Sequence, residues 1–154
     1  VEDYRRQGYS EKWINERMRS IEMRKELTDE WQRAGIHEQK DFAILTNILT
    51  KAWSGMTTGE YKRHKGLTKE NLRDNMTNVE LALNTLAEVT ATEISRQRNP
   101  KGMAQSSQTA REGGEVARNA RADIESRIGR SVISSKRALD YIHPIEDTKT
   151  KELE

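Results

Sequence analysis

Cysteine is absent from this 154-residue sequence, which excludes disulfides, thiolate nucleophiles and thiolate metal ligands. No apolar run approaches the roughly 20 residues that a membrane-spanning helix requires. No signal-peptide pattern opens the chain either, so a cytoplasmic protein without membrane contact is the expectation. Position 1 is Val rather than Met, as in a fragment or a processed chain. Alternation at a period of two and internal repeats are both missing, which argues against sheets and solenoids. Only 33% of the residues are hydrophobic and 34% are charged. The apolar residues are nevertheless clustered and periodic, which separates the chain from disordered sequences.

Motifs for chemistry are also scarce. There is no phosphate-cradling P-loop, and Gly113-Gly114 alone is too little for a dinucleotide fingerprint. His37, His64 and His143 lie in separate segments, none with a second ligand at metal spacing. Pro144, Glu146, Asp147 and Lys149 faintly echo a nuclease metal motif, but in a tail without a strand. No nucleophile and base pair up. The expectation is therefore no enzyme, no cofactor and no metal.

What the chain does have is helical periodicity and well-formed helix stops. Ser10 is a candidate N-cap for a long charged helix to about Arg33, with Trp13, Ile14, Met18, Ile21 and Leu27 as a narrow apolar stripe and Gly35 just past its end. So narrow a stripe suits a helix that crosses a bundle or protrudes as an arm, and homo-oligomerisation through it is one reading. Residues 38–53 are apolar nearly all round, which predicts a central helix ended by Gly55. A second rich helix runs from Thr77 to about Arg98, stopped at Asn99-Pro100. Leu45, Leu49, Leu83 and Leu86 of this pair are the expected core.

Residues 101–108 read as a small polar loop. A helix follows from about Ser107 to Arg127, with Ala110, Gly113, Ala117, Ala120 and Ile124 on one face. Two glycines inside a helix cost roughly 1 kcal/mol each against alanine. Close packing would offset that cost, and a kink or break is the alternative. Ser135 is a candidate cap for a last short helix to about Ile142. The chain thus divides into a long first helix (1–34), a helical domain (35–142) and a disordered acidic tail (143–154). The fold class is all-α: an irregular bundle of about five or six helices with a long amino-terminal helix.

Between the two rich helices lies a connector. Thr57 stands three residues before Glu60, and Thr77 three before Glu80, each pair a capping box. Residues 51–73 carry six basic side chains (Lys51, Lys62, Arg63, Lys65, Lys69, Arg73) against two acidic ones (Glu60, Glu70). This clustering in a nearly neutral chain permits an acidic protein or nucleic acid as partner. Tyr61, Lys62, Arg63, Lys65, Lys69 and Arg73 are the candidate contact residues, with solvated helix faces as the plain alternative. Trp53 is assigned to the core; for Tyr61, base stacking and burial both stay open.

Several stretches carry a family resemblance. They include Ile14-Asn-Glu-Arg17, Arg24-Lys-Glu-Leu27, Asp41-Phe-Ala-Ile-Leu-Thr46, Tyr61 to Leu67, Asn71-Leu-Arg-Asp-Asn-Met-Thr77, Glu80-Leu-Ala82, Thr92-Glu-Ile94 and Gly113-Gly-Glu-Val-Ala117. Across nearly the whole chain except its last dozen residues, the sequence resembles the carboxy-terminal domain of DNA-damage-inducible protein D and related BRO-type phage antirepressors. The resemblance implies a role in the bacterial SOS response or in prophage regulation. The partner it implies is a strand-exchange recombinase filament in one branch and a phage repressor in the other. Family members usually carry an amino-terminal BRO domain associated with DNA binding, and this chain has no such strand-rich region. The expected function is a non-enzymatic protein-interaction domain. The alternatives are a sequence-independent DNA-binding module using the connector at 62–73, and a structural dimerisation domain.

Overall fold

The computed structural model describes residues 1–142; the expected tail, with His143 and the Pro144–Lys149 echo, lies outside the described residues. The chain forms α1 (Glu2–Gln7), α2 (Glu11–Arg33), α3 (Gln39–Ser54), α4 (Thr58–His64), a 3-10 turn (Arg73–Asn75), α5 (Asn78–Arg98), α6 (Gly102–Ile128) and α7 (Ala138–Tyr141). Among the described residues there is no strand. This is an all-α bundle, and its four long helices carry the architecture.

Their boundaries follow from local chemistry. The Ser10 hydroxyl accepts the Trp13 amide at 3.1 Å and starts α2. At its end Gly35 is left-handed (φ 99°), and the Gly35 and Ile36 amides return to Gln32 and Trp31 as a Schellman motif. Both capping boxes form: Thr57 with Glu60 opens α4, and Thr77 with Glu80 opens α5. About five residues earlier than expected, α6 begins at Gly102, so residues 102–108 are helix and not loop. The Gln105 side chain caps the Lys101 amide at 2.8 Å. Ser106 and Thr109 then bury against α5, where small side chains let the helices close. The last helix also departs from expectation. Its first turn is capped not by Ser135 but by Asp140 on the Arg137 amide and by distant Asn75 on the Ala138 amide.

At the centre lies α5, with α2 packed along it in parallel and α6 in antiparallel fashion. The first long helix thus has its stripe covered within the chain: Trp13, Ile14, Leu27 and Trp31 are buried, while Ile21 stays 41% exposed. Gly113 and Gly114 sit mid-helix in α6 because two backbones pass there. A β-carbon on Gly113 would lie 2.7 Å from Ala87 O of α5, and one on Gly114 would lie 2.4 Å from the Ala52 β-carbon of α3. Close packing, not a kink, accounts for the pair.

The expected core holds at Leu45, Leu49 and Leu83, but Leu86 is 36% exposed. Likewise α3 is not enclosed all round, since Ala43 and Ile44 face out. For Leu86 the reason is local: the buried side of α5 is partly polar, with Glu80, Asn84, Glu88 and Thr92 inside.

The 3-10 turn ties the ends of the chain together. Asp74 Oδ1 accepts Tyr4 Oη and Arg17 Nε, and its backbone oxygen accepts Tyr9 Oη and Tyr141 Oη. Around it Tyr9 stacks on Trp13 with ring centres 3.9 Å apart.

Candidate functional site

A buried polar row runs along α5. Glu80, Asn84, Glu88 and Thr92 recur every four residues, which places them on one helix face. All four are buried, the two glutamates completely. Buried polar groups are tolerated only with partners, and each has them. Glu80 accepts Lys65 Nζ at 2.8 Å, Tyr61 Oη, the Thr77 amide and the Ser134 amide. Asn84 Oδ1 accepts Trp53 Nε1 at 3.1 Å. Glu88 Oε2 accepts both Arg73 Nη2 at 2.6 Å and Arg24 Nη1 at 3.4 Å. The Thr92 hydroxyl donates to the Glu88 backbone oxygen.

This row rearranges the candidate contact residues. Tyr61 and Lys65 are drawn inside by Glu80 and are not surface groups, which corrects the expectation that they meet a ligand. Burial pushes the Tyr61 hydroxyl up, helped by the neighbouring Glu80 carboxylate. Burial also lowers the Lys65 ammonium, against the opposing pull of Glu80. Arg73 is largely enclosed with Glu88. Lys62 is half-buried, and Arg63 and Lys69 are exposed. None of these last three has an ion-pair partner among the described residues.

Two concave features result. The first is a polar cleft of about 550 Å³ where α2 and α3 stand apart over α5, roofed by α4 and the connector. Arg24, Lys62, Lys69 and Arg73 line it, with Thr46, Thr50, Thr58, Asn71 and Asn84 between them. Three of the six candidate residues, Lys62, Lys69 and Arg73, therefore converge on one cleft. Arg24 was not singled out, because α2 reads as a solvated charged helix. Its guanidinium is held by Thr46 Oγ1 at 2.5 Å and lies 5.2 Å above the Trp31 ring. Desolvation lowers its pKa, and nearby Arg73 adds to that while Glu88 opposes it.

The second is a groove of about 600 Å³ between α3 and α6. Gly114 brings the two helices together against Leu49 and Ala52, and the groove runs beside this contact from Arg111 to Glu125. Ile48, Ala52 and Ala122 supply an apolar floor over fully buried Trp53, and Lys51, Arg111 and Arg118 stand at the rim with Glu115 as their acidic neighbour. Ile44, one turn before Ile48 on the same helix, is 47% exposed. Arg121 is engaged by Glu125 and by the last carbonyls of α3, at Ser54 O 2.9 Å. The other three cations have no ion pair among the described residues. Sequence reading missed this groove; the surplus of apolar residues on α3 was its signal.

All eight aromatic side chains fall within the described residues, and each is buried or half-buried. Base stacking on a displayed ring therefore has no platform. His37 and His64 are exposed and apart, and no cluster of His, Asp or Glu suited to a metal ion occurs among the described residues. No helix there is long and apolar enough to cross a membrane.

Fold and site together define an all-α domain with an apolar core, a row of buried polar groups along α5 and two concave surfaces with an excess of basic residues. Residues 8–141 match the DinD C-terminal domain, so the chain belongs to that family, a domain of DNA-damage-inducible proteins. No curated protein and no solved structure matches the chain.

Proposed function

We propose that this is a non-enzymatic interaction domain of an SOS or prophage regulator that docks an acidic segment of a protein partner in the α3–α6 groove. The observation that carries the reading is the uncovered apolar floor, continued by exposed Ile44, inside a basic rim. Apolar surface of this kind, bordered by polar groups, marks interaction sites. The rim cations select for acidic residues beside the apolar anchor. The partners implied by the family resemblance are a recombinase filament or a phage repressor.

Direct DNA binding by Lys62, Arg63 and Lys69 is the second reading, favoured by their exposure and their lack of acidic partners among the described residues. It involves phosphates rather than bases, since no ring is displayed for stacking. Co-sedimentation separates the two. The domain should pellet with recombinase filaments formed on single-stranded DNA, or co-elute with the repressor, and should ignore the DNA alone at physiological salt. Micromolar binding to naked DNA that weakens steeply with salt would instead support the second reading.

A further inference from the structure

The cleft between α2 and α3 carries an unbalanced charge. At its floor two guanidiniums, Arg24 and Arg73, share a single oxygen of fully buried Glu88. One carboxylate cannot neutralise both, and an uncompensated buried charge is costly. At the rim Lys62 and Lys69 have no carboxylate within ion-pair distance among the described residues, and the Glu70 carboxylate turns back to the Thr68 and Lys69 amides. Four cations thus face two carboxylates across the cleft, an excess of two positive charges.

The donors also have a definite geometry. Arg24 is immobilised by Thr46, Thr28 and the face of Trp31. Arg73 spends only Nη2 on Glu88, so the rest of its fork remains to donate. Hydroxyls of Thr50 and Thr58 and the amide of Asn71 come from other walls. Donors from several directions suit a tetrahedral acceptor better than a planar carboxylate, and a phosphate monoester carries about −1.5 to −2 at pH 7.

We propose that this cleft binds the phosphate monoester of a small molecule, with Arg73, Lys62 and Lys69 as direct ligands and Arg24 as the group that fixes the floor. The site is distinct from the α3–α6 groove, so either can fail without the other.

The test is thermal melting and calorimetric titration of the whole chain with inorganic phosphate, AMP, adenosine and acetate. A ligand that binds only the folded state raises Tm with its concentration. Phosphate and AMP should raise Tm and saturate, whereas adenosine and acetate should not. Lys62→Gln with Lys69→Gln leaves the buried groups untouched and should weaken AMP about tenfold or more, since each change removes a charge-assisted hydrogen bond. Glu88→Gln removes the competing carboxylate and should tighten it. Groove variants at Lys51, Arg111 and Arg118 should respond as wild type does. No saturable response to phosphate or AMP would overturn the proposal. So would equal binding of acetate or adenosine, or an unchanged affinity in the double lysine variant.

Discussion

Glu80 serves two purposes at once. It closes the capping box of α5 through the Thr77 amide, and it anchors Tyr61, Lys65 and the segment around Ser134 inside the bundle. The Thr-x-x-Glu spacing is visible in the sequence, but the burial is not, because a capping glutamate normally sits in water. Glu80→Ala would leave Lys65 buried without its carboxylate. Breaking a buried pair in this way costs about 3–5 kcal/mol, so Tm should fall by roughly 10 °C. An unchanged melting curve would show that the pair adds nothing. The tyrosines give a second residue-scale prediction. All four are raised, chiefly by burial, with Tyr9 reaching about 12. The fold therefore favours the protonated hydroxyls over the unfolded chain, whose tyrosines titrate near the usual value of about 10. That stability is fully present below pH 10 and is lost as the pH rises through the raised values. Absorbance at 295 nm and helical circular dichroism should change together above pH 10. Tyrosinate appearing near pH 10 with the helices intact would contradict the burial.

At the scale of elements, the two glycines of α6 reverse a general rule. Gly→Ala inside a helix usually stabilises by about 1 kcal/mol. At Gly113 the new methyl would strike the α5 backbone and at Gly114 that of α3, so either change should destabilise by about 1–3 kcal/mol, the usual cost of overpacking. At Gly59 in α4 the nearest atom is the flexible end of Arg63, 3.8 Å away, and the same change should be neutral or stabilising. Denaturant midpoints of the three variants check this; a stabilised Gly113→Ala would mean that α5 and α6 stand further apart. Helix caps, glycine stops and the small-residue face of α6 were legible because each is a local rule. The start of α6 was not, since Ser106 and its small polar neighbours read as loop residues until the bundle is in place to bury Ser106. The polar row of α5 left a trace in its four-residue spacing, which reads as a solvated stripe unless Tyr61, Lys65, Arg24 and Arg73 are known to converge on it.

Taken as a whole molecule, the chain covers one polar helix with three others and leaves two basic hollows between them. The connector's positive charge was legible from sequence. Its division into interior members (Tyr61, Lys65), a cleft (Lys62, Lys69, Arg73) and an exposed cation outside it (Arg63) depends on tertiary contacts with α5, some 15 to 20 residues away in sequence. The surface that carries the functional reading lies elsewhere, between α3 and α6. Its central claim is tested by two charge-reversal variants of similar size. One changes Lys51, Arg111 and Arg118 to Glu in the groove; the other changes Lys62, Arg63 and Lys69 to Glu beside the connector. Exposed charges contribute little to stability, so both should melt close to wild type. Measured against recombinase filaments and against the repressor in physiological salt, the groove variant should lose binding while the connector variant keeps it. Binding retained by the groove variant and lost by the connector variant would contradict the assignment of the groove as the docking surface.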